Sequence, residues 1–322
     1  MTAFGKSRKN LTTIRIEALK HLKKKRPEEI MNTCYLCKND TFDLVTEKLR
    51  YNVPKKAYKC KKCGLVFLSP RMTPEEERIF YEKEYGDIYS TEKGTTPDKL
   101  FQSRLPDANR YFDWVKPYLD HSHKCLELGC ASGYFLATIR DTVAHVSGIE
   151  THKLLSAYCR NIGINTYESL EKCGDAQFDR VFMFFLLEHI GDPVQYLHSV
   201  DRVMKPGGKL FIVVPNVNDA LMSLYDIPAF KDFYFTPAHQ YYYTKETLTA
   251  MLKKAGMSTV SIFPRQRYDL SNHMHWMMNG KPGGAGCYNS VFSEKLLHEY
   301  AKNLEDHFLC DTLFAVITKT ER

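Results

Sequence analysis

The stretch Lys124-Cys-Leu-Glu-Leu-Gly-Cys-Ala-Ser-Gly-Tyr-Phe135 runs a short apolar strand into a glycine turn and then into a helix start. Glu127 closes the strand, Gly129 and Gly133 let the backbone approach a ligand, and the helix turns its first amides toward whatever binds there. Such backbone can cradle a nucleoside. About twenty residues on, Val146-Ser-Gly-Ile-Glu150 is a second apolar run ending in an acid, the place where a doubly wound fold holds ribose hydroxyls. The glycines are spaced G-x-x-x-G around Ala131 rather than G-x-G-x-x-G, which weakens a dinucleotide reading.

Farther along come Phe178-Asp179-Arg-Val-Phe-Met-Phe-Phe-Leu-Leu-Glu188-His189 and then Lys205-Pro-Gly-Gly208 before another apolar run. The four pieces, in this order and at βα spacing, resemble the class I S-adenosylmethionine-dependent methyltransferases, with Ala131 in place of the usual middle glycine. The resemblance implies an α/β fold built on a Rossmann-like seven-stranded sheet whose last strand is antiparallel. Strands are expected near 124–128, 145–150, 163–167, 178–184, 208–214, 258–263 and 310–318, alternating with helices until the last pair. Ligands of open sheets bind beyond the carboxyl ends of the strands, at the switch point between the first and the fourth. The resemblance therefore implies S-adenosylmethionine as cofactor. Gly129, Ala131 and Gly133 would meet its methionine part with Glu127 and Cys130 beside them, Glu150 its ribose, and 168–170 its adenine. Phe184, Phe185 and Leu186 would line the other side.

The composition, 43% hydrophobic over 322 residues, sustains one domain of roughly 200 residues and a smaller companion. No apolar run approaches the roughly 18 residues of a membrane span, and no signal-peptide pattern opens the chain, so a cytoplasmic protein is expected. The net charge of +7 is local: nine lysines and arginines stand against Glu17 alone in residues 1–26. Leu11, Ile14, Leu19 and Leu22 recur near helical spacing there, so the arm reads as a basic amphipathic helix suited to a polyanion, a membrane surface or a partner subunit, or as a solvated terminus. The near-neutral remainder argues against a broad nucleic-acid surface.

Cys34-Tyr-Leu-Cys37 and Cys60-Lys-Lys-Cys63 are two C-x-x-C knuckles separated by twenty-two residues, close to the spacing of zinc ribbons. Four thiolates make a closed Zn2+ site with no position for water, which is a structural site, and the metal would supply folding free energy that so short a module lacks. A redox pair is the competing reading, but it normally stands alone on a thioredoxin-like fold, and Gly64 suits a zinc-ribbon turn. Thr73-Pro-Glu-Glu76 has the signature of a capped helix start leading to Phe80, Tyr81 and Tyr85. Knuckles, Cys-Gly, Ser-Pro-Arg71 and a tyrosine-rich helix resemble the N-terminal zinc domain of a methyltransferase subset acting on nucleotide-linked deoxysugars and in bacterial surface-polysaccharide pathways. The expected organisation is a basic arm over 1–31, a zinc-binding domain over 32–72, a helical linker over 73–110 and an adenosylmethionine-binding domain over 111–322.

Two insertions flank the sixth strand. Residues 217–243 are dense in aromatic rings and read as a lid whose Tyr242 and Tyr243 contact the acceptor. Residues 265–307 bring Arg265, Arg267 and His273, with the arginines suited to the phosphates of an anionic acceptor. For a hydroxyl acceptor the protein aligns acceptor and methyl group and removes a proton, and His189 and His239 are the candidates. His239 resembles the His-x-x-Tyr-Phe segment of deoxysugar C-methyltransferases. An acid commonly precedes that histidine, whereas Ala238 stands here, and the chain ends after its seventh strand without their further domain. The favoured reading is O-methylation of a small, sugar-containing or nucleotide-sugar acceptor. The alternatives are a zinc-ribbon RNA methyltransferase and a non-catalytic adenosylmethionine-binding scaffold.

Overall fold

The computed structural model describes residues 33–53, 55–79, 96–257 and 259–320. The basic arm over 1–31 and the rings expected at Phe80, Tyr81 and Tyr85 lie outside the described residues. The cysteine-rich region forms β1 (Phe42–Thr46), β2 (Lys56–Cys60) and β3 (Val66–Ser69), followed by α1 (Pro74–Ile79). Thr73 and Glu76 exchange hydrogen bonds at the start of α1, Thr73 N donating to Glu76 Oε2 at 2.9 Å and Glu76 N to Thr73 Oγ1 at 3.3 Å.

Helix α2 (Pro97–Val115), capped by the Thr96 hydroxyl, leads into the larger sheet. The chain then alternates β4 (Lys124–Leu128), α3 (Tyr134–Ile139), β5 (His145–Ile149), α4 (Lys153–Asn161), β6 (Asn165–Tyr167), β7 (Phe178–Phe184), α5 (Pro193–Val203) and β8 (Met204–Pro215). After two short helices, α6 (Ala220–Ser223) and α7 (Pro228–Tyr234), come β9 (Tyr241–Tyr242), α8 (Lys245–Lys254), β10 (Thr259–Arg265), α9 (Leu270–Asn279), α10 (Glu294–Asp306) and β11 (Thr312–Thr318). The seven-stranded sheet has the order β10-β11-β8-β7-β4-β5-β6, with β11 antiparallel to both neighbours. The chain runs outward from β4 through β5 to β6, returns to β7, and runs the other way, so the switch point lies between β4 and β7.

Alternation along the strands sorts the core into two layers. Val181, Met183, Leu210 and Ile212 face Leu197 and Val200 of α5 and Leu248 and Leu252 of α8, while Phe182, Phe184 and Phe211 face Tyr111 of α2 and Phe135 and Leu136 of α3. Both layers are needed because a mostly parallel sheet has no solvent face.

The last strand pair departs from the expected pattern, because two helices stand between β10 and β11 rather than a loop. Each has its own start signal. The Asp269 carboxylate accepts from Asn272 N at 2.8 Å and the Ser293 hydroxyl from Leu296 N at 3.2 Å. The turn at Gly280, with φ +58°, is simply the end of α9.

The smaller sheet has the order β1-β2-β3-β9, so its fourth strand comes from far down the chain. Tyr241 and Tyr242 pair with Phe67 and Val66. The Arg71 guanidinium bonds the Tyr241 hydroxyl and, at 3.0 Å, the Gly191 carbonyl, and Lys254 Nζ donates to the Tyr35 carbonyl at 2.6 Å. The cysteine module is thus stitched to the larger sheet beside the end of β7.

Candidate functional site

The glycine turn is fastened to the tip of β5: Gly129 N and Cys130 N both donate to the Ile149 carbonyl, at 2.9 and 3.0 Å. Gly129, Ala131 and Gly133 all have positive φ, at +72°, +48° and +73°, which makes Ala131 the costly member of the turn. A Cβ on Gly129 would sit 3.6 Å from Leu186 Cδ1, so the expected lining residue does lie over the turn. Glu150 Oε2 accepts from Ala131 N at 2.9 Å and Oε1 from His152 N at 2.7 Å. Burial lifts the Glu150 carboxyl to about 7 against the pull of those amides. Glu127 is buried with Oε2 unpartnered, and burial first, then Cys159 and Glu150, holds it well above the carboxylate range. An open glycine turn with two carboxyls at strand tips fits a ligand bearing ribose hydroxyls and an amino group.

Three expected contacts need correction. The Cys130 sulfur is turned away from the turn onto Gly148, where a Cβ would lie 2.3 Å from it, so only its backbone faces the cradle. Phe184 packs inside against Tyr111 and Phe135, at 4.7 and 4.9 Å between ring centroids. Leu170 is buried in the core, which leaves exposed Glu168 as the end of that segment still open to a ligand. In Gly133→Ala, the left-handed φ and a Cβ 2.8 Å from Ile164 Cδ1 should cost roughly 1–2 kcal/mol or more, read as a lower urea midpoint. An unchanged midpoint would mean the turn is free to reshape.

Beyond β7 the chain makes one tight turn, Leu187–His189, and meets the segment before β9. His189 Nδ1 lies 3.2 Å from the Ala238 carbonyl, and since a carbonyl only accepts, Nδ1 carries the proton. The His239 ring stands edge-on to His189 with centroids 4.6 Å apart. Both Glu188 oxygens and His239 Nδ1 are buried without a hydrogen-bond partner. Burial raises Glu188 to about 8 and lowers His189 to about 4, and burial followed by the neighbouring His189 and Arg50 holds His239 well below the usual imidazole range. The two histidines proposed from sequence therefore meet. Glu188, part of the same Leu-Glu-His run, was the neighbour not assigned a role.

The insertion supplies one wall of this edge. The Arg267 guanidinium lies 4.4 Å from the centroid of the Phe185 ring, and its Nε bonds Asp311 Oδ1 at 3.0 Å and Thr312 Oγ1 at 2.7 Å. Phe185 has φ +51°, a strained conformation at a strand tip, and its partly buried ring packs against the layer that holds Tyr111. The other expected acceptor contacts are structural. Tyr242 is buried with its hydroxyl bonded to Thr236 N and O, and Tyr243 is fully buried behind β9, so the proposed lid is an anchored wall. Arg265 lies 5.6 Å from the Trp114 and Phe314 ring centroids, turned from the edge. His273 is buried with Nδ1 2.7 Å from the Tyr300 hydroxyl and Nε2 3.3 Å from Gln266 Nε2.

Asp219 sits near this wall, buried, and burial followed by Asp311 raises it to about 7. Its folded form holds a proton that the unfolded chain, ionising near pH 4, has lost. Native stability therefore falls as pH rises from about 4 to about 7. Asp219→Asn keeps a cap acceptor for Leu221 N and should flatten that fall, giving a higher urea midpoint than the parent at pH 8 but not at pH 4. Parallel pH profiles would contradict this.

A family model described as a methyltransferase domain matches residues 101–262, half of the chain and all of the glycine turn. The chain belongs to this methyltransferase domain family. It is 30% identical over 105 residues to the ubiquinone biosynthesis O-methyltransferase of Pseudomonas aeruginosa, covering 30% of this chain and 45% of that protein. A probable S-adenosylmethionine-dependent methyltransferase of Mycolicibacterium smegmatis is 30% identical over 105 residues, 30% of this chain and 41% of its own length. The match thus spans about half the length of the curated relatives. A crystal structure of a SAM dependent methyltransferase from Archaeoglobus fulgidus aligns with a TM-score of 0.48 at 18% identity, over 73% of this chain and 100% of that one.

The cysteine cluster lies outside the matched methyltransferase residues. The four Sγ atoms lie within 4.8 Å of one another, with Cys34 to Cys63 at 3.6 Å and Cys37 to Cys60 at 3.5 Å. Metal–sulfur bonds of about 2.3 Å in a tetrahedron place sulfurs about 3.8 Å apart, so the set fits a tetrahedral ion. Gly64, φ +79°, lets its amide donate to the Cys60 carbonyl at 2.9 Å, and Asn39 Nδ2 donates to Cys60 Sγ at 3.7 Å.

Proposed function

We propose that this protein transfers a methyl group from S-adenosylmethionine to a hydroxyl of a small, sugar-containing acceptor, with a nucleotide-sugar as the favoured class, and that Zn2+ in the four-cysteine cluster is structural. The observation that carries this reading is the meeting of Glu188, His189 and His239 at the end of β7, next to Leu186 over the glycine turn. When bound, S-adenosylmethionine supplies a methyl on a sulfonium, a leaving group that needs no acid.

The residues of this chain do the remaining work. Gly129, Ala131, Gly133, Glu127 and Glu150 bind and orient the donor. Leu186 and Phe185 exclude water from the side facing the acceptor. His239, half-buried and neutral, receives the acceptor hydroxyl, and His189 holds it in place through the edge-on ring contact. Arg267, kept cationic by Asp311 and leaning on Phe185, offers the ends of its guanidinium to an anionic group on the acceptor. The O-methyltransferase name of the Pseudomonas relative supports oxygen as the methylated atom.

The test is incubation with isotopically labelled methyl donor and a panel of nucleotide-sugars, followed by mass spectrometry. A labelled ether on one of them is the expected result. Demethylated donor formed with no sugar product would remove the acceptor class, and no binding of the donor in calorimetry would remove the activity.

A further inference from the structure

We propose that the exposed ring of Tyr268 is the platform on which the flat base of a nucleotide-linked acceptor stacks, with Arg267 beside it on the phosphates. The proposal deepens the reading above and rests on it for the class of acceptor. β10 runs parallel to β8 and β7, since β10 and β8 are both antiparallel to β11, so the chain leaving Arg265 emerges at the same edge of the sheet as the end of β7. Tyr268 lies just past that strand and is 45% exposed.

An exposed tyrosine is ordinary, but this one is held. Its amide donates to Asp311 Oδ2 at 3.0 Å, and its carbonyl accepts from Gln266 Nε2 at 2.7 Å. Gln266 is fixed in turn, because the Asp311 amide donates to its Oε1 at 3.1 Å. Asp311, only 4% exposed, takes Arg267 N on the same Oδ2 at 2.8 Å and Arg267 Nε on Oδ1. One buried carboxylate therefore sets the backbone of both residues and the direction of the guanidinium. Groups ordered in advance lose little freedom when a ligand arrives.

The chemistry of the pair selects the ligand. The Arg267 guanidinium carbon lies 5.2 Å from the Tyr268 ring centroid and 4.4 Å from that of Phe185, so the cation joins the exposed ring to the edge beside Leu186. Its Nε is taken up by Asp311 and Thr312, which leaves the two terminal nitrogens for a phosphate. A molecule that brings an anion and a flat aromatic ring to neighbouring positions is a nucleotide, and a tyrosine face accepts any base. With the base on Tyr268 and the phosphates on Arg267, the sugar is left to the Phe185 side, toward Leu186 and the glycine turn. A phenolic acceptor without phosphate would use only half of the pair.

The test is calorimetry of the full chain with uridine, thymidine, cytidine and guanosine diphosphates, and with inorganic pyrophosphate as the anion without a base. At least one nucleoside diphosphate is expected to bind about fivefold or more tighter than pyrophosphate, the least that one stacked base contributes. Tyr268→Ala should remove that advantage and leave the thermal midpoint and pyrophosphate affinity as in the parent, whereas Tyr268→Phe should keep it. If Tyr268→Ala fails to fold, Tyr268→Leu, which keeps the bulk without a π face, decides in its place. No binding by any of these ligands, or equal binding of pyrophosphate and every diphosphate, would overturn the proposal, as would an advantage that the variant without the ring retains. A base advantage that depends on Tyr268, with no nucleotide-sugar methylated, would sink the functional reading alone. Methylation of a nucleotide-sugar by Tyr268→Ala at the parent KM would sink the platform alone.

Discussion

Cys37→Ser and Cys60→Ser are each expected to lower methyl transfer at least about 100-fold while the methyl donor still binds, although neither sulfur belongs to the edge proposed to carry catalysis. The module of β1 to β3 is short, and its Phe67, Leu65 and Cys34 are buried in a cluster shared with the larger sheet rather than in a sizeable core of their own. Structural zinc is worth roughly 10–16 kcal/mol of folding free energy in zinc-finger peptides, so a lost ligand removes most of what holds such a module. The consequence travels because β9 is a strand of that module. Leu68 N donates to the Gln240 carbonyl at 3.2 Å and Met72 N to Gln240 Oε1 at 3.2 Å, while Gln240 N holds the Glu188 carbonyl. Without β3, His239 and Glu188 lose their fixed positions, whereas the turn at 129–133 is fastened to β5 and stays. Metal content, initial rate and donor calorimetry on one preparation check this. Serine variants that lose zinc and keep their rate would show the module to be independent of the edge.

The large sheet was legible because its signals are local. Strand, glycine turn and acid recur at short range, and each expected strand overlaps an observed one. The Thr73 cap was legible for the same reason: a threonine followed three residues later by a side chain that reaches back. Tyr241–Tyr242 were not. A dense aromatic run suggests a lid, but nothing in the sequence says that its backbone pairs with Val66 and Phe67, more than 170 residues earlier. Arg265 and Arg267 show the limit at the site. They are two residues apart, a spacing that would put both on one face of a strand, but β10 ends at Arg265, and past that end the chain carries Arg267 to Phe185 while Arg265 stays near Trp114. Which of them faces the acceptor depends on where the strand ends, and charge alone does not mark that end. Glu188 escaped assignment because an acid in Leu-Glu-His reads as surface until the fold buries it.

His239→Ala is expected to lower turnover by about 10²–10⁴, the range for loss of a positioned proton-handling group, with donor affinity changed less than about threefold. His239 makes its ring contacts with His189 and Tyr242, and none with the 129–133 turn, so the donor has no reason to register its loss. Removing a ring from a half-covered position beside an anchored strand leaves the fold in place, because Tyr242 keeps its own bonds to Thr236. The kinetic form of the loss is informative. An interaction made only in the transition state lowers kcat and kcat/KM together, whereas a group that merely shapes the pocket raises KM. A variant with parent kcat and raised KM would reduce His239 to a wall of the acceptor site. Loss of donor binding would instead place it on the cofactor side, and the proposed division of labour between the glycine turn and the Leu-Glu-His edge would fail.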